Sequence, residues 1–131
     1  MIATDAVEAY YASWKNGPEH FDEERLREIL DPNLDFHGSI AGHRVGAEGF
    51  IKGVGDIARA LKSFRMIQLL RDGNQAAAIY ECELTHPVGT FRFAEFFRQA
   101  GARFVQHIEE LIRVDELELV YARGVVDQVL E

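Results

Sequence analysis

The side chains in this sequence best suited to moving protons are Asp35, His37, Glu95 and Tyr10. Asp35 and His37 alternate with Leu34 and Phe36 in "LDFHG". Alternate residues of a strand share a face, so the acid and the imidazole stand together, opposite two apolar side chains. A histidine takes or gives a proton near neutral pH. Its bland alternative is a hydrogen bond at a strand end, with Asp35 either orienting the ring or facing water. Glu95 alternates with Phe91, Phe93 and Phe97 in "FRFAEFFR". A carboxyl among phenylalanines is rarely buried unless it is paired. Burial would raise its pKa and make it a neutral donor. A cross-strand arginine or histidine would instead make it structural. Tyr10 lies on a stripe with Val7, Tyr11 and Trp14. Its phenol can meet a developing oxyanion or complete an aromatic core. His107, in "RFVQHIEELIRV", shares a face with Val105 and Leu111 if that segment is extended, and could then line a pocket. His86 precedes a proline at a hairpin end, His43 sits among glycines and could edge a pocket mouth, and His20 is expected in solvent.

The elements that hold these residues follow from periodicity. Val7, Tyr10, Tyr11 and Trp14 recur with helical spacing, Asp5 and Glu8 have capping-box spacing, and Asn16-Gly17-Pro18 stops the helix. A second helix starts near Asp22, with Phe21 placed to staple onto Leu26, and Asp31-Pro32 ends it. Asn33 to Gly38 is a short strand, and a glycine-rich turn runs through Gly42 and Gly46. A third helix over 47–61 presents Phe50, Val54, Ile57 and Leu61 on one face. Its Gly49, Gly53 and Gly55 each cost about 1 kcal/mol against alanine, which implies close packing or a pocket wall. The period then falls to two. Strands are expected over 63–71, 75–86 and 90–98, with a turn at Asp72-Gly73. Residues 103–114 fit a helix or a strand, and a fourth strand in series is favoured. "ELELVY" reads as a short strand and "VVDQVLE" as a terminal helical turn. Helices first and a meander of strands afterwards make an α+β domain spanning 1–131.

Composition narrows the function classes. The 131 residues carry a formal net charge of -8 and show no basic stripe, which argues against nucleic acid. No apolar run approaches the ~18 residues of a membrane helix. The start lacks the basic and unbroken apolar pattern of a signal peptide. Cys82 is the only cysteine, which suits a reducing, cytoplasmic compartment. Phosphate loops, dinucleotide fingerprints, nucleophile elbows and metal-ligand spacings are missing, and the histidines are scattered along the chain. No metal or cofactor is expected. An apolar content of 47% is high for a small acidic chain and fits a large core, an apolar cavity, a buried dimer face, or all three.

The order of elements, with "VEAYYASWKNG", "LDPNLDFHGSIAGHRVGAEGFI" and "FRFAEFFR", resembles the SnoaL-like branch of the nuclear-transport-factor-2-like superfamily. The resemblance covers about Ala6 to Val114. It implies a cone-shaped roll, with the N-terminal helices packed in the concave face of a curved antiparallel sheet around an apolar pocket. The tail departs from the family pattern, although Asp115 could match an aspartate that relatives place after the last strand. By likeness to the steroid isomerases of this branch, His37 takes the place of the general base, Tyr10 that of the oxyanion donor and Glu95 that of the second acid, with Ala94 one residue away as the alternative match. The isomerases usually have a carboxylate as base, so a histidine there is closer in kind to the dehydratases and cyclases. Trp14, Phe50, Val54, Phe93 and His107 are the expected ligand contacts. The resulting expectation is a cofactor-free acid–base enzyme acting on a small apolar carbonyl or cyclic compound, and a homodimer. The alternatives are a non-catalytic binder of a hydrophobic ligand and a dimeric interaction module.

Overall fold

A computed structural model describes residues 5–39 and 42–114. The chain runs α1 (Asp5–Ala12), a 3-10 turn (Pro18–His20), α2 (Glu23–Ile29), β1 (Leu30–Gly38), β2 (Gly42–Val45), α3 (Ala47–Ala60), β3 (Leu61–Asp72), β4 (Gln75–Thr85), β5 (Val88–Ala100) and β6 (Arg103–Arg113). The expected strand "ELELVY", the helical turn "VVDQVLE", Asp115 and the capping side chain of Asp5 lie outside what is described.

Helix α1 is shorter than its apolar stripe. Beyond Ala12 the backbone tightens: Trp14 N donates to Tyr11 O at 3.1 Å and Gly17 N to Trp14 O at 3.2 Å. Gly17 then takes φ +91°, a conformation costly for any residue with a Cβ. Asp22 caps α2 by accepting from Arg25 N at 3.0 Å. This helix stops at Ile29 rather than at Asp31-Pro32, because Leu30 is already extended and pairs with Phe104. A salt bridge fixes α2 to α3: the Arg27 guanidinium donates to both carboxylate oxygens of Glu48, at 2.9 Å each.

The strands form a six-stranded curved sheet in the order β2-β1-β6-β5-β4-β3. The meander from β3 to β6 is antiparallel, as the alternation implies. The sheet as a whole is mixed, because β1 pairs with β6 in parallel. A long connection between β1 and β6 is what allows parallel pairing. The expected glycine turn after Gly38 is in fact the strand β2, paired antiparallel with β1. Residues 103–113 are a strand, which resolves the helix–strand ambiguity in that segment.

One irregularity decides what β6 presents. Arg98 pairs with Gln106 but Gln99 pairs with Phe104, so Val105 is an extra residue in the ladder. A bulge of this kind shifts the alternation by one. Phe104 and His107 are therefore both buried, on the same side as Leu111, and Val105 does not share His107's face as simple alternation predicts.

The core lies between the helices and the concave sheet face. Val7, Tyr10 and Trp14 from α1, Leu26 from α2, Ile51 and Ala58 from α3, and Tyr80, Cys82, Phe93 and Phe104 from the strands are all buried. Of the three helix glycines, Gly55 packs closely, since a Cβ there would stand 3.3 Å from the Phe21 ring. Gly49 and Gly53 border the cavity instead, where a Cβ on Gly53 would meet nothing within 4 Å and one on Gly49 would only touch the Phe36 ring at 4.0 Å.

Phe104 joins β6 to α1 and β5, with ring centroids 4.8 Å from Phe97 and 6.4 Å from Tyr10. Phe104→Ala should cost about 3–5 kcal/mol, as expected for a buried phenylalanine. In urea unfolding the midpoint should fall with the slope unchanged; a loss under 1 kcal/mol would show that this seam is not tightly packed.

Candidate active site

The alternation of β5 sends Phe91, Phe93, Glu95 and Phe97 inward. Glu95 is 1% exposed and His107 2% exposed. The Tyr10 hydroxyl donates to Glu95 Oε2 at 3.1 Å, and the Tyr11 hydroxyl donates to Oε1 at 2.9 Å. His107 Nε2 lies 2.5 Å from the same Oε2. One carboxylate thus accepts from α1 twice and from β6 once. A cross-strand histidine does pair with Glu95, as sequence reasoning allowed, and two tyrosines join it. Burial, and then the negative charge of Glu95, raise the Tyr10, Tyr11 and Tyr80 phenols well above their ordinary range, so all three stay protonated donors. Burial also pushes the Cys82 thiol up to about 12, leaving it an inert core group.

With Nε2 donating to the carboxylate, His107 keeps a lone pair on Nδ1. That nitrogen is buried and has no hydrogen-bond partner among the described residues, and Trp14 Nε1 is in the same state. Both residues line a cavity of about 740 Å³ between α1, α3 and the sheet. The expected contacts Trp14, Phe50, Val54, Phe93 and His107 all lie on its wall, as does Tyr10, and Glu95 stands behind His107 and Tyr10. Lys52, Arg44 and His86 also border the cavity.

Glu109 was not singled out from the sequence. It lies directly across from Glu95 in the β5–β6 ladder and lines the cavity. Burial raises its carboxyl to about 7, the negative charge of Glu95 adds to this and His107 opposes it. What local sequence does not supply is the register of β6, which sets Glu109 across from Glu95. Alternation keeps Glu109 on the face of His107 and Leu111, and the bulge at Val105 brings Phe104 onto that same inner face.

His37 and Asp35 stand elsewhere. They alternate with Leu34 and Phe36 as expected, but the buried pair is Leu34 and Phe36, which turns the acid and the imidazole to the outer face. The His37 side chain is 47% exposed, stacks on His43 with centroids 4.3 Å apart and lies 3.5 Å from Asp35 Oδ1. The residue reaches the cavity only at its rim. His37 and Tyr10 border the same cavity, whereas Glu95 and Asp35 are not on its wall.

The family model described as a SnoaL-like domain matches residues 7–107. This chain is a SnoaL-like protein. Solved structures agree on the fold of the SnoaL-like chain. A protein of Kribbella flavida shares 22% identity over 92% of this chain and 94% of its own, with a TM-score of 0.73. IdmH of Streptomyces antibioticus, described as a candidate polyketide cyclase, shares 18% over 95% and 99%, with a TM-score of 0.67. An NTF2-like protein of unknown function from Mesorhizobium loti shares 11% over 84% and 90%, with a TM-score of 0.72. At these identities the likeness speaks for the fold alone. No curated protein matches the SnoaL-like chain significantly in sequence.

The raised Glu109 carboxyl has a consequence for stability. The folded protein holds that proton to about pH 7, whereas an ordinary glutamate loses it near 4.5. The folded state therefore binds the extra proton between these values, and stability falls as pH rises through them. The effect is on the order of 2–3 kcal/mol. Urea unfolding at pH 5 and pH 8 should show this loss in the wild type and most of it removed in Glu109→Gln. An identical pH slope in both proteins would mean that Glu109 is not the group responsible.

Proposed function

We propose that this SnoaL-like protein, as a single domain over 1–131, is a cofactor-free acid–base enzyme of isomerase, cyclase or dehydratase type. Its substrate would be a small, largely apolar carbonyl or cyclic compound held in the cavity. The observation that carries this reading is the Glu95–His107 pair. A buried carboxylate holds one ring nitrogen of a cavity-lining histidine, and the other has no partner among the described residues. Such an arrangement suits a base oriented by a second group. His107 would take a proton from carbon beside the carbonyl. Glu109, protonated up to about pH 7, would give one to the developing oxyanion. Tyr10 and Tyr11 hold Glu95 in place by donating to its two oxygens, and Tyr10 also lies on the cavity wall.

The geometry favours His107 over His37 as the base. The His37 ring is half exposed and engaged by Asp35 and His43, so its place by resemblance would serve a substrate only at the rim. The description of IdmH as a candidate polyketide cyclase is in keeping with proton chemistry in a cavity of this shape.

A panel of small apolar carbonyl compounds, followed by proton–deuterium exchange at the carbon beside the carbonyl, tests the proposal. His107→Asn should retain ligand binding, seen as a thermal shift, and lose about 10²–10⁴-fold in exchange rate. Binding without exchange in the wild type would instead mean a non-catalytic ligand carrier.

The partner we propose is a second copy of the chain. Leu70, Ala77, Phe96 and Ile108 are successive cross-strand neighbours on the outer sheet face. Phe96 is 51% exposed and Leu70 57%, an apolar row of the kind that marks an interface. Among the described residues no helix is long and apolar enough to cross a membrane, and the buried free thiol of Cys82 suits a reducing, cytoplasmic setting. Sedimentation at micromolar concentration should give a dimer, and Phe96→Glu should give a folded monomer. A monomeric wild type would end the proposal.

A further inference from the structure

The β1–β2 hairpin carries a second group of side chains whose chemistry the cavity does not use. Strand pairing sets His37 directly opposite His43, and Asp35 lies two residues before His37 on the same outer face. Directly opposite and diagonal positions are the cross-strand pairs whose side chains meet. His43 Nε2 lies 2.9 Å and His37 Nε2 3.5 Å from the same Asp35 Oδ1. The two rings are stacked at an interplanar angle of 11°. Their stacking points both Nε2 atoms at one side, toward one oxygen. One donor atom from each of the three residues falls within 4.8 Å of the other two.

We propose that Asp35, His37 and His43 bind a divalent transition-metal ion of the zinc class. Two imidazoles and one carboxylate are a donor set that borderline ions such as Zn²⁺ prefer over hard ions such as Mg²⁺. Metal bonds of about 2.0–2.1 Å in tetrahedral geometry place donor atoms about 3.3–3.4 Å apart. Two of the observed separations are already near or below this. The widest must close by somewhat more than 1 Å. The side chains are 45–54% exposed, so rotation about their own bonds can supply that movement without disturbing the core. A neutral imidazole carries one proton on either nitrogen. Shifting it to Nδ1 frees each Nε2 for the ion. Water would complete the coordination, since all three groups face solvent.

The ion would clamp the edge strand β2 to β1, at the point where His37 borders the cavity rim. Metal competes with protons for these ligands, so binding weakens on acidification. Because the ion binds the folded hairpin, it also raises the melting temperature by mass action.

Isothermal titration of ZnCl₂ into the full chain near neutral pH tests the site, with thermal melting as the second readout. The expected result is one saturable site per chain and a raised melting temperature. His43→Ala and Asp35→Asn should each weaken binding by about tenfold or more, since each removes a ligand. Both residues are substantially exposed, so their metal-free melting temperatures should match the wild type, which separates loss of a ligand from loss of fold. His20→Ala, in the 3-10 turn, should leave the affinity unchanged. No saturable binding below about 100 µM, a ceiling of roughly −5.5 kcal/mol, would overturn the proposal. Equal affinity in His43→Ala, or a loss in His20→Ala, would overturn it as well.

Discussion

A carboxylate cannot be taken out of water without being answered, and Glu95 is answered by three separate side chains. Burying an unpaired ion costs several kcal/mol, and leaving any one of these donors unmatched would cost further. Satisfying Glu95 requires α1 to lie across the concave face with Tyr10 and Tyr11 directed at β5. It also requires β6 to turn His107 toward the same point. The helix–sheet arrangement and the polar centre of the cavity are therefore one requirement. The aromatic contacts around the centre, such as Phe50 on His107 at 4.6 Å and Tyr80 stacked on Phe93 at 4.9 Å, keep it dry and fix the rings.

The bulge at Val105 is what makes that requirement compatible with a regular β5–β6 ladder. Without the extra residue, Phe104 and His107 would fall on opposite faces, and either the aromatic seam to α1 or the histidine of the cavity would be lost. Bulges are found where a strand must re-aim a side chain, and here the re-aimed side chain is the one that contacts Glu95. The same shift carries Glu109 inward beside its cross-strand neighbour Glu95. Two acids and a histidine then share a small apolar space, which is the physical reason one of them holds its proton toward neutral pH.

The outer face of the sheet is handled differently. Glu81 is ringed by Arg65 and Arg92, whose guanidinium groups hold its carboxyl below the usual range, Arg92 having the larger effect. Further along the same face run the apolar side chains of Leu70, Phe96 and Ile108. Along β1 a single step of alternation divides two chemistries: Phe36 packs on Phe50 inside, with centroids 5.3 Å apart, and His37 stacks on His43 outside. Gly49 and Gly53 keep the α3 wall open where larger side chains would fill it.

Much of this was determined by local sequence. The stripe of α1, the cap at Asp22, the turn at Asp72-Gly73 and the alternation that buries Glu95 among phenylalanines all depend on near neighbours and strand period, so they could be read directly. Which cross-strand residue answers Glu95 could not. It depends on the register of β6 and on a bulge that alternation alone does not foresee. His37 was misdirected for a related reason. Alternation correctly separates it from Leu34 and Phe36 but does not say which face is inside until α3 covers one of them. His37 and His43 likewise looked scattered along the chain and meet only because β2 pairs back on β1. Sequence sets periodicity, because periodicity is a property of the backbone. Tertiary structure sets register and which face is covered, because these are decided by which elements pack together.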